Sequence, residues 1–407
     1  MARSSRSNRR KRRNRIKRRN LDNRHFSNQT PIVVAMGFLL CLFFFILVNL
    51  VVPSRAFSNQ ENRILAQRPT LAMDDVVSGV YMAQYEDFLS DQFTGRNVFR
   101  FISTSLRRLG GSRMENDVFI GRGNQLLENI VTPNPEDLSA NIESIQDFTI
   151  RYPQINHYIM IVPDAANILS DSLPFLATVA DQTRQINHVR AQLDDYALWI
   201  DVSSALNQHS AERIFYQTDH HWTSLGAFVA FQEAAGIMEI EGDMASAFAA
   251  FPVATNFNGA LAARSGVGLN TLDDIFIYVP REESREVIVN YIYEQRRTTS
   301  LFDLARLETR DKHSVFLGEA SPLISVRTTS PYTRRLLVVR DSFANNFVQF
   351  LTPFFREIVL VNPKYYPGSI DEIMRTYRIT DSLILYSGNT FFGDQYLREA
   401  LAEEELD

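Results

Sequence analysis

The chain has 407 residues, 45% hydrophobic and 22% charged, enough for a large core and for two or three domains. Its formal charge of −5 hides an asymmetry. Residues 1–30 hold twelve of the 42 Lys/Arg and one of the 47 Asp/Glu, which leaves 30 basic against 46 acidic side chains in the rest. So acidic a remainder argues against nucleic acid as its partner, and with Cys41 the only cysteine it offers no disulfide, no thiolate nucleophile and no Cys-type zinc site.

After the basic block comes an apolar run over residues 31–52 with no formal charge, including Leu39-Leu40-Cys41-Leu42-Phe43-Phe44-Phe45. At about 1.5 Å per residue it reaches across a bilayer core. Positive charge beside a membrane helix stays cytoplasmic. Residues 1–30 therefore read as a cytoplasmic tail and 31–52 as a transmembrane signal-anchor, with everything after Pro53 outside. A cleaved signal peptide is the alternative. It is disfavoured by the length of the run and by the lack of a clear Ala-x-Ala site after it. RNA binding by the basic block is a weaker reading than a topology signal.

Residues 53–113 read as a membrane-proximal helical region, with a helix-like rhythm over 81–102. From 114 to the end, strands and helices alternate. Val118-Phe119-Ile120 is a strand ending in a turn, 138–151 a helix, and 157–162 a buried strand ending at Pro163-Asp164. A helix over 183–193, a short strand over 197–202 and a helix over 224–235 follow. Residues 251–325 look like a small inserted β lobe. The alternation resumes with strands at 336–339, 358–361 and 382–386 and helices at 344–351 and 370–377. Continuous apolar strands between helices predict a mostly parallel sheet covered on both faces. Ligands of such sheets sit at the carboxyl ends of the strands, where Asp164, Asp201, Ser342, Asn362 and the loop from Tyr386 to Asn389 fall.

Two polar clusters carry the chemistry. The first is Asp219-His220-His221-Trp222, in a chain with only seven histidines. The second is Arg340-Asp341-Ser342-Phe343, after the apolar run 336–339. A strand–turn–helix order puts the Ser342 hydroxyl at the top of the sheet, near free helix N–H groups. Ser342 is then either a nucleophile or an N-cap. In an extended segment, residues two apart point the same way. Asp219 would orient His221, and His221 would serve as base for Ser342. If the segment already turns into a helix, His220 becomes the candidate; a structural Asp cap with two satisfied histidines is the plain alternative. Trp222 reads as core, site wall or a stacking face for a sugar. Zinc on Asp219, His220 and His221 is disfavoured, because adjacent histidines rarely converge on one ion and no HExxH helix is visible. The reading assigns no metal and no cofactor.

At these residues the chain resembles the DHHW protein family, named for the four residues at 219–222. Further blocks carry the resemblance: Phe57-Ser58-Asn59-Gln60-Glu61-Asn62-Arg63, Asp91-Gln92-Phe93, Val118-Phe119-Ile120-Gly121, Val162-Pro163-Asp164-Ala165, Phe257-Asn258-Gly259 and Asp341-Ser342-Phe343. That family is in turn similar to the SGNH-hydrolase-like proteins of alginate O-acetylation, in which an Asp-x-His-Trp motif precedes an Asp-Ser motif. The resemblance implies an SGNH-hydrolase-like three-layer α/β fold, with a catalytic domain over 114–407. It also implies an extracytoplasmic O-acetyltransferase or esterase acting on a cell-surface glycan, with Asp219 and His221 as acid and base and Ser342 as nucleophile. Such proteins work beside a multispanning membrane O-acyltransferase. The arginine that follows the next strand in the alginate proteins corresponds to Lys364 here, which keeps the charge but loses the planar fork. Tyr386, Asn389 and Asn345 are the remaining candidates for substrate or oxyanion contacts, and Trp222 is grouped with them. A non-catalytic glycan-binding or scaffold protein is the rival class.

Overall fold

The computed structural model describes residues 31–58, 63–267, 271–281 and 286–403. The basic tail and the centre of the 57–63 block lie outside the described residues. Residues 31–58 and 63–99 form one compact unit and residues 100–403 another.

In the first unit, Pro31–Val51 is a 21-residue helix of mean hydropathy 2.9, with none of its apolar window buried. It is long and apolar enough to cross a membrane. Helices Met73–Ser78 and Val80–Gln92 follow. The Asp91-Gln92-Phe93 block ties this unit together. Asp91 Oδ2 accepts the Ala66 N–H at 2.8 Å, Gln92 Nε2 donates to the Arg55 and Ala66 carbonyls, and Phe93 stacks on Phe45.

The second unit is built on an eight-stranded sheet. Its strand order is Arg296–Thr298, Val287–Tyr291, Leu323–Thr328, Glu357–Val361, Arg335–Arg340, Asp381–Ser387, Asn156–Val162, Leu198–Trp199. The last five run parallel, and the first three are antiparallel. Side chains alternate along these strands between two apolar layers. Leu336, Val338, Ile358, Leu360, Leu383 and Leu385 enter one core, with Phe231, Phe347 and Phe350 from the helices Ser224–Ile237 and Ala344–Leu351. Leu337, Val339, Val359, Val361 and Ile384 enter the other, with Ile145, Val189 and Ile373 from the helices Pro135–Arg151, Gln182–Leu193 and Ile370–Tyr377. A strand apolar at every position needs both layers, and this is the three-layer arrangement expected.

The inserted lobe needs correction. Only the hairpin Phe248–Phe257 with Asp273–Pro280 forms a sheet of its own. The strands from 287 to 328 instead extend the main sheet, because Leu323–Thr328 pairs antiparallel with Glu357–Val361. Its burial pattern, five of six residues inside, is that of a central strand and not of a lobe.

Candidate active site

The Arg335–Arg340 strand ends in a tight turn at Asp341 and Ser342 before the helix Ala344–Leu351. The buried Asp341 fixes that turn. Its Oδ1 accepts the Phe343 N–H at 2.9 Å, and its Oδ2 accepts the Ser387 N–H at 2.9 Å and the Ser387 hydroxyl at 2.8 Å. Ser342 is therefore free of the capping role. The helix has no side-chain cap, and Ser342 Oγ lies 2.7 Å from His221 Nε2.

His221 comes from a loop closed by an antiparallel bridge between Phe215 and Trp222. The loop bends throughout and is not a strand. Asp219 and His221 still face each other, because the aspartate folds back on its own chain. Asp219 Oδ1 accepts the His221 N–H at 3.1 Å and meets His221 Nδ1 at 2.6 Å. With Nδ1–H donated to the carboxylate, Nε2 is left as acceptor for the Ser342 hydroxyl. His220 makes no such contact with Ser342; its Nδ1 stands 3.6 Å from Asp219 Oδ1.

Two supports of this loop were not assigned from the sequence. Asp273 accepts the Gln217 N–H, the Thr218 N–H and the Thr218 hydroxyl at 2.9, 2.8 and 2.6 Å. Ala260 N–H donates to Asp219 Oδ2 at 2.7 Å. That donor can approach because residue 259 is glycine, where a Cβ would fall 2.4 Å from Asp219 Cβ and 2.5 Å from Asp219 Oδ2. The Phe257-Asn258-Gly259 block thus acquires a physical reason. A Gly259→Ala variant must push Asp219 aside by several tenths of an ångström or more. We expect kcat/KM to fall by roughly 10²-fold, the cost of displacing an active-site group by about 1 Å. Cooperative melting should be retained, and steady-state kinetics beside a thermal melt checks both.

The electrostatics favour a neutral base held by a charged acid. Burial lowers the pKa of His221 and the neighbouring His220 lowers it further, against the opposing pull of Asp219. Burial would raise Asp219, but the imidazoles of His220 and His221 take it well below the usual carboxylate range. A third histidine lies against the site. The ring of His313 stacks on His221 at 3.8 Å and 10°, and the ring of His220 sits 4.0 Å away. Burial holds His313 well below the ordinary imidazole value, so it is neutral. Its only sequence signal was the scarcity of histidine.

Ser342 opens on a cleft of about 440 Å³ lined by His221, His313, Arg340, Asn345, Lys364 and Tyr386 among others. Lys364 is exposed at its rim. Burial first, then the nearby Asp394 and Asp341 carboxylates, raise Tyr386 well above the usual phenol value, so it stays a protonated donor. Asn345 Oδ1 accepts from the buried Arg340 at 2.7 Å. Burial lowers Arg340 to about 10, and its Nε has no hydrogen-bond partner among the described residues. One expected contact fails. Trp222 is fully buried, so it touches neither sugar nor oxyanion; its indole N–H donates to the Phe343 carbonyl at 3.0 Å and to Asn346 Oδ1 at 2.7 Å, locking the histidine loop onto the serine helix. Asn389 lines the cleft, and its amide also anchors the loop: its Oδ1 accepts the Val131 N–H and its Nδ2 donates to the Asn129 carbonyl, both at 2.9 Å. The Ser342 N–H has no hydrogen bond among the described residues.

Ligand atoms of Asp219, His220 and His221 lie within 4.8 Å of one another. Hydrogen bonds already occupy both Asp219 oxygens and both ring nitrogens of His221. Only His220 would remain for an ion, so the donor set does not fit a metal.

Residues 134–303 match the family model of the SGNH hydrolase-like domain of the acetyltransferase AlgX. The fold is SGNH hydrolase-like. A DHHW family protein from Eubacterium siraeum superposes with a TM-score of 0.61 at 21% identity, over 71% of this chain and 95% of that one. Bacillus cereus PatB1, solved with a sulfonyl adduct, gives 0.59 at 19%, over 70% and 99%. No curated protein sequence matches. The SGNH-like match includes Asp219, His221 and Gly259, while Ser342 lies beyond it. It supports an SGNH-like O-acetyltransferase or esterase.

Proposed function

We propose that this protein transfers an acyl group, acetyl by its likeness to the AlgX domain, onto hydroxyls of a cell-surface glycan outside the cytoplasm. Asp219, His221 and Ser342 would carry the reaction. The observation behind this is the continuous hydrogen-bonded chain from Asp219 Oδ1 through His221 to Ser342 Oγ, at 2.6 and 2.7 Å, ending at the cleft. His221 Nε2 takes the hydroxyl proton as Ser342 Oγ attacks the acyl carbonyl of an ester donor. The oxyanion that forms is met by the Ser342 N–H. Collapse expels the donor's alkoxide, which takes the proton from His221, and leaves acyl-Ser342. A sugar hydroxyl then gives its proton to His221 and attacks the acyl carbon; Ser342 leaves and recovers that proton. Water in place of the sugar makes the same site an esterase. The basic tail and the Pro31–Val51 helix support a single-pass anchor with its N-terminus inside. A multispanning membrane acyltransferase is the proposed donor partner.

Full-length protein with an acetyl ester donor should release acetate, and with added oligosaccharide the acetyl should appear on sugar hydroxyls. The pH profile tests the base. A lowered His221 pKa means the imidazole is already neutral at pH 6.5, so the acid limb of kcat/KM should lie below about 6.5. Activity would be lost as pH falls through it. An acid limb centred above 7 would contradict the assignment.

A further inference from the structure

Three histidines are buried among the described residues, and two of them use both ring nitrogens. His157 meets Ser382 Oγ at 2.8 Å and the Tyr152 carbonyl at 2.9 Å, and His221 bridges Asp219 and Ser342. His313 differs from both. Its Nε2 is sealed from solvent with no hydrogen-bond partner among the described residues. Its Nδ1 has no such partner either, but is not sealed, and the open space that the ring lines is the cleft holding Ser342. A phenylalanine would offer His221 the same stacked face without the cost of burying two polar atoms. Packing therefore accounts for the ring and not for its nitrogens. An unspent polar atom in the wall of a cleft is the kind of group that orients a bound substrate.

We propose that His313 Nδ1 binds the acceptor by the hydroxyl adjacent to the one that attacks, so that the site selects vicinal hydroxyls, as on a sugar ring, over a simple alcohol. This rests on the reading of Ser342 as the acyl carrier. The attacking hydroxyl must give its proton to His221 Nε2, and a second acceptor for that proton would compete with the base. A neighbouring hydroxyl raises no such conflict. The stacking supplies the location: rings parallel within 10° at 3.8 Å put His313 one ring thickness from the imidazole that takes the proton. A neutral imidazole offers one donor and one acceptor nitrogen, so it meets a hydroxyl in either sense. As the new ester bond forms, the bond from Ser342 Oγ to the acyl carbon breaks. The acceptor's proton passes through His221 to that oxygen, and His313 neither gains nor loses one.

The test gives full-length protein p-nitrophenyl acetate as donor, with cis-1,2-cyclohexanediol or cyclohexanol at equal concentration as acceptor. First-turnover release of nitrophenol reads acylation of Ser342, and the ratio of diol ester to cyclohexyl ester reads the acceptor contact. Wild type should favour the diol by at least about tenfold. His313→Phe, or the smaller His313→Leu if the former does not melt cooperatively, should lower that ratio to about two, the statistical value for two hydroxyls, with first-turnover release within about threefold of wild type. His313→Asn, whose amide can stand where Nδ1 stands, should restore most of the preference. A wild-type ratio near two, or no transfer to the diol, overturns the proposal. So does an unchanged ratio in the variant without a ring nitrogen, or first-turnover release that falls as far as diol transfer, since the ring would then only support His221. Nitrophenol release that persists in Ser342→Ala removes the acyl carrier, and this inference with it.

Discussion

Replacing Ser342 by alanine is expected to lower acyl turnover by at least about 10³-fold, and by up to about 10⁶-fold if no water bypasses the acyl-enzyme. The fold should barely respond. Asp341, not Ser342, accepts the Phe343 and Ser387 hydrogen bonds that shape the turn, and the serine hydroxyl's bond is to His221. A melting temperature within a degree or two of wild type, beside near-total loss of acetate release, is the expected pair of readings. If Ser342→Ala keeps more than about a tenth of the rate, a loss smaller than removal of any triad member produces, the serine is not the nucleophile.

The second large effect separates the adjacent histidines. His221→Ala should lose at least about 10³-fold in kcat/KM, the residual coming from binding and the oxyanion donor. His220→Ala should lose less than about tenfold, since its ring makes no bond to Ser342 and acts on His221 only through charge and packing. Asp219→Asn should fall near His221→Ala, at about 10⁴-fold, because an amide in that place no longer enforces the tautomer that leaves Nε2 open. Steady-state kinetics on the three variants at one pH decides the order. A His220→Ala defect as large as that of His221→Ala would exchange their roles.

The sheet was legible because its parallel strands carry continuous apolar runs, such as 336–339 and 358–361, separated by helix-period segments, a pattern few folds other than a doubly covered parallel sheet produce. The antiparallel extension was not. Leu323–Thr328 contains Ser325, Arg327 and Thr328, and the polar residues hide that it pairs with Glu357–Val361. Within the site, the motif residues themselves could be read, but not what holds them. Gly259 lies forty residues from Asp219, and the close backbone approach that requires it exists only after folding. Asp273 and His313 likewise converge from separate segments with no local pattern to mark them. Trp222 was misplaced because an indole serves equally well for a ligand and for scaffolding, and only its burial and hydrogen-bond partners decide which.

The most direct test of the account is covalent trapping followed by peptide mapping. Full-length protein treated with a serine-directed sulfonyl fluoride should gain one adduct, carried on the peptide containing Ser342. Prior incubation with the ester donor should slow its formation, and Ser342→Ala should gain none. An adduct that maps to another residue, or that forms equally on Ser342→Ala, would contradict a nucleophilic Ser342 served by His221 and Asp219.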